Sequence, residues 1–240
     1  MLSLALENCF SIIIPTYNEA ENIKVIIPLI SKSIASITTC YEIIVVDDNS
    51  PDKTAEIARS YMDRYPVKVY VRYRERGLSS AIIYGARRSS YENIIVMDAD
   101  LQHPPEKVRE LALALKKGCD LAIASRYMVG GGVVGWSKFR LFESRVATVL
   151  AHILNPWSRV TSDPMSGFFA CKKKYLLNPH IRARGYKVLL EVLSKNRDCI
   201  RTVCDIPYIF RTRVYGESKL GFKTIIDYII QLVSNILRSK

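Results

Sequence analysis

The sequence predicts an α/β protein with a mostly parallel central sheet, because short apolar runs alternate with longer mixed segments along its first half. The apolar runs have the length of buried strands and lie at 9–15, 41–47, 67–72, 93–98 and 119–125. Helical patterns separate them at 20–38, 52–64, 78–90 and 104–117. Strands that alternate with helices in this way form parallel sheets that are covered on both faces.

The second half of the chain is less regular than the first. Helices are predicted at 137–154, 185–196 and 222–238, and strands are predicted near 167–172 and 200–212. No internal repeat, low-complexity tract or clear linker separates the two halves. We therefore interpret the second half as an extension of one domain.

The chain is strongly basic for its length of 240 residues, with 35 Lys and Arg against 23 Asp and Glu and a net charge of +12. Such an excess favours anionic partners, namely nucleic acid, anionic lipid or phosphorylated ligands, although a basic, solvated surface alone also explains it. A composition that is 49% hydrophobic and 24% charged excludes disorder, collagen and coiled coil.

The six cysteines are scattered without a CxxC pair, so a zinc site is not expected. Most of them fall in apolar runs, which is typical of small core residues. The sequence has no signal peptide and no glycosylation sequon, so we expect a cytosolic, reduced setting, with hyperthermophile cytosols as the known exception. No apolar run reaches the ~18 residues of a spanning helix, so the chain is not expected to cross a bilayer.

Polar residues close the predicted strands, and ligands of parallel sheets bind beyond these carboxyl ends. The first strand ends in PTYNE (15–19) in place of GxGxxG, a segment that alone is typical of a helix start. The second ends in DDNSPD (47–52), where Ser50 before Pro51 also fits a helix start. Helix capping does not explain the two carboxylates of Asp47 and Asp48, which could accept hydrogen bonds from a base and a ribose.

The fourth strand ends in DADLQHPP (98–105), which predicts a metal site. Asp98 and Asp100 share one side of an extended chain because side chains alternate with a period of two. Two carboxylates and the Gln102 oxygen are hard ligands suited to Mg²⁺ or Mn²⁺. We expect His103 to be packed or solvated rather than a ligand.

The fifth strand ends in Ser125-Arg126-Tyr127, which would place a guanidinium beside a phosphate group. The following GGGVVG (130–135) is a literal GxGxxG, but it follows the strand after a spacer and has no acidic ribose partner about 20 residues on. We therefore expect a mobile glycine loop near the site.

Taken together, these motifs give the chain a resemblance to the dolichyl- and polyprenyl-phosphate mannosyltransferases of the inverting family 2 glycosyltransferases. The resemblance covers about residues 9–223 and rests on PTYNE (15–19), VDDNSPD (46–52), RGLSSA (76–81), DADLQHPPE (98–106), SRY (125–127), DPMSGFF (163–169), GYKVLLE (185–191) and GESKL (216–220). It implies a Rossmann-like nucleotide-sugar transferase fold of the GT-A type. It also implies a catalytic domain over 1–222, with a donor half at about 1–127 and an acceptor half at about 128–222.

The resemblance implies roles for individual residues. The nucleotide-sugar donor would be held by Pro15, Tyr17, Glu19, Val46, Asp48, Asp98, Ala99, Arg126, Arg213 and Lys219. A Mg²⁺ or Mn²⁺ ion would be held by Asp98, Asp100 and Gln102. The phosphate of the acceptor would be bound by Arg126, Arg140 and Ser144. The catalytic residues would be Asp100, Arg126, Arg140 and Ser144.

The implied reaction is an inverting transfer of mannose from GDP-mannose to dolichyl or polyprenyl phosphate. A phosphate monoester is largely dianionic at pH 7 and is already a nucleophile, so no His base is needed. A glucosyltransferase that uses UDP-glucose has the same site and remains an alternative. A nucleic-acid-binding module explains the charge but not three acidic strand ends, so no nucleic-acid partner is expected. A processive polysaccharide synthase would need QxxRW, which is absent, and a non-catalytic scaffold would not need these acids.

Two apolar segments predict contact with a membrane. Residues 223–240 form an amphipathic pattern with basic flanks and suit an interfacial helix. The helix at 137–154 carries Leu141, Phe142, Val149, Leu150 and Ile153, although both stripes could instead pack on the core or on a partner chain. We expect a peripheral protein at the cytoplasmic face of a membrane, anchored by lipid or by a small membrane protein.

Overall fold

The computed structural model describes residues 8–183 and 187–212, which form nine strands. In chain order these are β1 (Phe10–Thr16), β2 (Tyr41–Asp47), β3 (Val67–Val71), β4 (Asn93–Val96), β5 (Leu121–Ser125), β6 (Gly132–Val133), β7 (Phe169–Lys172), β8 (Val203–Pro207) and β9 (Ile209–Phe210). Seven of them form one sheet in the order β3-β2-β1-β4-β7-β5-β8, and β6 pairs with β9.

Helices connect these strands and cover both faces of the sheet. They are α1 (Ala20–Ala35), α2 (Thr54–Arg59), α3 (Leu78–Arg88), α4 (Lys107–Lys116), α5 (Lys138–Leu154), a 3-10 helix (Pro156–Val160), α6 (Lys173–Leu176) and α7 (Val188–Lys195). Each strand and helix predicted within the described residues has a counterpart, but β4 ends two residues before its predicted end, and the strand predicted near 200–212 is divided into β8 and β9. The strand β6, the 3-10 helix and α6 are short additions.

The sheet is mostly parallel, as predicted. The strands β1, β2, β3 and β4 pair in parallel, and so do β5 and β8. The exception is β7, which runs antiparallel to both β4 and β5 and lies between them. The carboxyl ends of β1, β2, β4, β5 and β8 therefore meet at one edge of the sheet.

Two apolar layers hold the sheet between its helices. On one face, Ile12 and Ile14 pack with the isoleucines of α1, and on the other face Ile13 packs with Val46 and α3. The second layer is tight at Gly85, because a Cβ added there would lie 2.8 Å from Ile13 Cγ2. Alternating residues of β1 thus serve both layers, as expected for a strand that is buried on both sides.

The helix start predicted at Ser50 is wrong. The helix α2 begins at Thr54, after Lys53 in the left-handed conformation with φ 65°. The cap comes from Asp52, whose carboxylate accepts from the Thr54 amide at 3.1 Å and from the Ala20 amide at 3.0 Å. The Ser50 hydroxyl instead donates to Asp47 and accepts from the Asn18 amide.

The expectation that the cysteines are reduced is also wrong. Disulfides join Cys9 to Cys40 and Cys119 to Cys204, while Cys171 is buried and free and Cys199 is exposed and free. The first pair precedes the partners Phe10 and Tyr41, which face each other in the ladder. These cysteines come together because strands that are distant in the sequence pair with each other. The spacing of the cysteines therefore does not predict the disulfides.

Part of the glycine segment at 130–135 is a short strand and not the loop that we expected. Gly132 and Val133 pair in parallel with Ile209 and Phe210. A Cβ at Gly131 would lie 2.6 Å from the Ser125 carbonyl oxygen, so only glycine fits this backbone approach.

Some predictions fall outside the described residues, among them the helix at 223–240, Arg213 and Lys219. The division into a donor half and an acceptor half also stays a prediction. Within the described part, the second half of the chain contributes β7 and β8 to the same sheet as the first. Within residues 8–183 and 187–212, no helix combines the length and the apolar character needed to span a bilayer.

Candidate active site

The two neighbouring carboxylates at the end of β2, those of Asp47 and Asp48, differ in their surroundings. Asp47 is buried and accepts from the Ser50 amide at 2.8 Å, from the Ser50 hydroxyl at 2.6 Å and from the Thr16 hydroxyl at 2.9 Å. Its oxygens therefore hold the turn between β1 and β2. Asp47 therefore has a structural role, which its position at a strand end did not predict.

Asp48 fixes the segment that leads into α3. Its Oδ1 accepts from Arg72 Nε at 2.7 Å, and its Oδ2 accepts from the Gly77 amide at 2.8 Å. The Arg72 guanidinium is buried and also donates to the Gly77 carbonyl at 3.0 Å. The residue predicted to bind the nucleotide thus also shapes the loop that borders this part of the edge.

The other residues predicted to bind the nucleotide lie around this turn. Pro15 and Val46 are buried and face each other in the β1–β2 ladder. The Arg76 guanidinium lies 4.8 Å from the centre of the Tyr17 ring. The Glu19 side chain accepts from Asn22 Nδ2 at 2.5 Å within the first turn of α1. An aromatic ring with a stacked cation at a sheet edge forms a suitable wall for a planar base.

The segment after β4 carries the three predicted metal ligands. Asp98 Oδ1 is buried without a hydrogen-bond partner among the described residues, although the Asp98 side chain is 29% exposed. Asp100 is buried and accepts from the Gln102 amide at 3.1 Å. The Gln102 side chain donates through Nε2 to the Arg211 carbonyl at 2.9 Å. The amide oxygen is the acceptor atom of this side chain.

The donor atoms of this segment fit a divalent cation by their chemistry. A buried carboxylate oxygen without a donor is costly unless a cation or a ligand completes it. Groups of three His, Cys, Asp or Glu side chains that could hold an ion do not occur in the described part of the chain. The candidate set has two carboxylates and an amide oxygen, and it matches the oxygen preference of Mg²⁺ and Mn²⁺.

His103 is packed, as predicted. Its ring is buried among Phe168, Tyr208 and Phe210, with ring centres 5.3 to 5.5 Å apart. Its Nε2 lies 3.4 Å from Asp98 Oδ2. The ring therefore supports the Asp98 carboxylate from the protein side.

Arg126 makes a buried ion pair that the sequence analysis did not predict. The carboxylate of Asp163 accepts from Arg126 Nε at 2.7 Å, from its Nη2 at 2.8 Å and from its backbone amide at 3.1 Å. Asp163 is fully buried and the Arg126 side chain is 9% exposed. Burial opposes the charge, but Asp163 outweighs it and raises the pKa of the Arg126 guanidinium. The predicted phosphate ligand thus has its charge fixed and oriented by Asp163.

Trp136 links the two arginines that are predicted to receive the acceptor phosphate. Its ring centre lies 5.8 Å from the Arg126 guanidinium and 4.4 Å from that of Arg140. On the same helix as Arg140, the Ser144 hydroxyl accepts from the Tyr127 hydroxyl at 2.6 Å. The structure therefore groups Arg126, Arg140 and Ser144 around two aromatic rings next to the end of β5.

The loop at 163–167 lies between the acidic and the basic groups. Asp163 at its start holds Arg126, and Gly167 at its end lies against Asp98, where a Cβ would come within 2.8 Å of Oδ2. Between them, the Met165 carbonyl accepts from Lys187 Nζ at 3.0 Å. Lys187 lies within the motif GYKVLLE (185–191), but the sequence analysis assigned it no role. Its contact depends on chain segments that only the fold brings together.

Known proteins resemble this chain along most of its length. The profile of the family described as glycosyl transferase family 2 matches residues 11–189. The dolichol-phosphate mannosyltransferase of Pyrococcus furiosus is 44% identical over 219 residues, which are 91% of this chain and 61% of that protein. The protein of the same name from Saccharomyces cerevisiae is 39% identical over 235 residues, which cover 93% of this chain and 85% of that protein. The chain thus spans about three fifths of the Pyrococcus relative.

Solved structures resemble the fold of this chain. The glucosyl-3-phosphoglycerate synthase of Mycobacterium tuberculosis, in complex with Mn²⁺, uridine-diphosphate and phosphoglyceric acid, superposes with a TM-score of 0.73. The match has 20% sequence identity and covers 98% of this chain and 80% of that chain. It confirms the predicted fold class, a Rossmann-like α/β fold of the GT-A type with a mostly parallel sheet.

Proposed function

The chain belongs to glycosyl transferase family 2, among its dolichol-phosphate mannosyltransferases, and we propose that it transfers mannose from GDP-mannose to dolichyl or polyprenyl phosphate. The observation that carries this proposal is the meeting of an acidic, oxygen-rich edge at Asp98 with a basic, aromatic cluster at Arg126 and Arg140. A nucleotide diphosphate with its cation suits the first group, and a phosphate monoester suits the second.

The proposed donor side lies along the carboxyl ends of β1, β2 and β4. The nucleoside would lie by Tyr17 and Asp48, while Glu19, Pro15 and Val46 shape the wall behind it. Asp98, Asp100 and Gln102 would hold Mg²⁺ or Mn²⁺, which neutralises the diphosphate as the nucleotide leaves. The manganese in the mycobacterial glucosyltransferase structure supports use of a divalent ion. Ala99 would contact the donor between the two acids, and Arg213 and Lys219 would close over it.

The proposed acceptor side needs no protein base. The acceptor phosphate is largely dianionic at pH 7 and can attack the anomeric carbon directly, so a single displacement inverts that centre. The surroundings of the three histidines are consistent with a reaction that needs no histidine base. His103 is caged by aromatic rings, His152 contacts the Ser158 hydroxyl at 2.9 Å, and His180 is exposed. Arg126, Arg140 and Ser144 would orient the phosphate in line with the donor.

Arg140→Ala is expected to raise the KM for the polyprenyl phosphate by about tenfold to a hundredfold, because a hydrogen bond to a charged group contributes about 1.5–3 kcal/mol. Affinity for GDP should stay within about twofold, since Arg140 lies in the acceptor cluster. Initial rates at varied acceptor concentration, with GDP binding measured by calorimetry, test both statements. Arg145→Ala is the matched control, because Arg145 is an exposed arginine of the same helix. Loss of GDP binding in Arg140→Ala would show that the two subsites are wrongly assigned.

An exposed apolar face on α5 supports the proposal that the reaction takes place at a membrane surface. Phe139, Phe142, Val149 and Ile153 are exposed by 70%, 65%, 55% and 59% and lie along one side of the helix. The same helix carries Arg140 and Ser144, so insertion of this face into the headgroup region would bring a lipid-borne phosphate to the acceptor cluster. We propose peripheral binding at the cytoplasmic face, aided by the segment 223–240 or by a small membrane protein.

Phe139→Ser combined with Phe142→Ser is expected to weaken vesicle binding by about tenfold or more, because burial of each ring contributes about 1.5–3 kcal/mol. Sedimentation with anionic phospholipid vesicles measures this change, and GDP affinity serves as the control for folding. Vesicle binding equal to that of the wild type would remove α5 from the membrane contact.

The experiment that tests the proposed function is the transfer of radiolabelled sugar to a polyprenyl phosphate in vesicles. GDP-mannose and UDP-glucose are compared with Mg²⁺, with Mn²⁺ and with chelator. Labelling from GDP-mannose that disappears with chelator is the expected result. Labelling from UDP-glucose alone would replace the proposed sugar and nucleotide.

A further inference from the structure

Lys187 lies next to the candidate site although no strand end carries it. It directly precedes α7, and its Nζ donates to the Met165 carbonyl at 3.0 Å. This carbonyl belongs to the loop at 163–167, which holds Arg126 at one end and lies against Asp98 at the other. The ammonium is therefore attached to the loop that separates the acidic edge from the basic cluster.

The charges that act on Lys187 are those of the candidate site. Burial, followed by the like charge of Arg126, lowers the pKa of Lys187, while Asp98 and Asp163 act in the opposite direction. Asp163 is already committed to its ion pair with Arg126. The Lys187 ammonium is therefore attracted by the carboxylates of Asp98 and Asp163 and repelled by the Arg126 guanidinium.

The hydrogen bonds of this ammonium are incomplete. An ammonium group has three donors, and within residues 8–183 and 187–212 the Met165 carbonyl is the acceptor found for Nζ. No carboxylate of these residues lies within 4.0 Å of it. Lys187 is half-buried, and a partly desolvated cation close to a like charge is stabilised when an anion completes its surroundings.

We propose that Lys187 Nζ binds a non-bridging phosphate oxygen at the reaction centre, between Asp98 and Arg126. The inference rests on the proposed assignment of the donor to the Asp98 edge and of the acceptor to the Arg126 cluster. Two substrates supply this chemistry, since the leaving diphosphate and the attacking phosphate monoester both carry anionic oxygens there. In either case the fixed charge would stabilise negative charge that develops on the phosphate oxygens.

A purely structural role predicts a different outcome from the proposed one. If Lys187 served only to hold the Met165 carbonyl, Lys187→Gln would replace it well, because the Gln amide also donates a hydrogen bond. If the charge binds phosphate, Lys187→Gln and Lys187→Met should both be impaired, and Lys187→Arg should recover part of the activity. Lys116→Met is the control, because Lys116 is an exposed lysine at the end of α4.

The test measures kcat and the KM of each substrate, GDP affinity by calorimetry with Mg²⁺, and the melting temperature of each variant. We expect Lys187→Gln to lower kcat/KM by about a hundredfold, within the range for loss of one stabilising donor. Weaker GDP binding would identify the diphosphate as the ligand, and a raised acceptor KM with unchanged GDP binding would identify the monoester. Wild-type kinetics of Lys187→Gln would overturn the proposal. So would equal impairment of the Gln, Met and Arg variants with lowered melting temperatures.

The same experiment separates this inference from the proposed function. A wild-type protein that neither binds GDP nor uses GDP-mannose would contradict the donor assignment. A wild-type protein that does both, beside a Lys187→Gln variant with the same constants, would contradict the role of Lys187 alone.

Discussion

Asp98→Asn is expected to slow mannose transfer by about 1000-fold or more while the protein remains folded. The Asp98 Oδ1 atom is buried without a hydrogen-bond partner among the described residues, so the amide removes a charge there without breaking a protein contact. A bound cation supplies several kcal/mol of charge stabilisation, and about 4 kcal/mol corresponds to roughly 1000-fold in rate. Initial rates from GDP-mannose, together with Mn²⁺ binding followed by electron paramagnetic resonance in the presence of GDP, measure the two effects.

A matched control separates this effect from a general loss of negative charge. Asp63 is exposed and lies in the segment between α2 and β3, so Asp63→Asn should keep the wild-type rate. Asp100→Ala should lose activity as Asp98→Asn does, because both acids belong to the same proposed ligand set. Turnover of Asp98→Asn at the wild-type level would disprove the metal site.

Asp163→Ala is expected to destabilise the protein by about 3–5 kcal/mol, because it leaves the buried Arg126 guanidinium without its partner. For a chain of this size, such a loss lowers the melting temperature by roughly 10 °C. Activity should fall as well, since the guanidinium is no longer held in its orientation. Thermal unfolding followed by circular dichroism gives the first quantity, and the transfer assay gives the second.

The double variant Arg126→Met with Asp163→Leu distinguishes stability from function. Replacing a buried ion pair by apolar side chains of similar volume is often neutral or stabilising, so the melting temperature should return towards that of the wild type. Transfer should remain lost, because no guanidinium is left for the acceptor phosphate. If the double variant were active, Arg126 would have only a structural role.

The strands and most helices could be predicted because their signals are local. β1 and β2 are continuous apolar runs, and their predicted bounds differ from the observed bounds by at most one residue. The site segments followed from the same pattern, because parallel strands present their carboxyl ends at one edge. Asp98, Asp100 and Gln102 follow β4 within six residues of its end at Val96, and their shared role as metal ligands stays a prediction. The likeness to a known family then added Arg140 and Ser144, which local chemistry alone did not indicate.

Features that depend on tertiary pairing could not be predicted. Asp163 is 37 residues from Arg126, and no local pattern joins them. The antiparallel direction of β7 and the approach of Lys187 to Met165 are set by how the second half of the chain returns to the sheet. The start of α2 also differs from the prediction: Lys53 is left-handed, and the Asp52 carboxylate accepts from the first amides of both α1 and α2.

The two disulfides lie at the amino ends of their strands, opposite the edge that carries the candidate site. They span sequence separations of 31 and 85 residues, and the two spans do not overlap along the chain. Each bond therefore removes its own share of entropy from the unfolded chain, about 3.7 and about 4.6 kcal/mol at 25 °C in the loop-closure treatment. Stabilisation of this kind acts on the denatured ensemble and adds no covalent link at the edge that carries the candidate site.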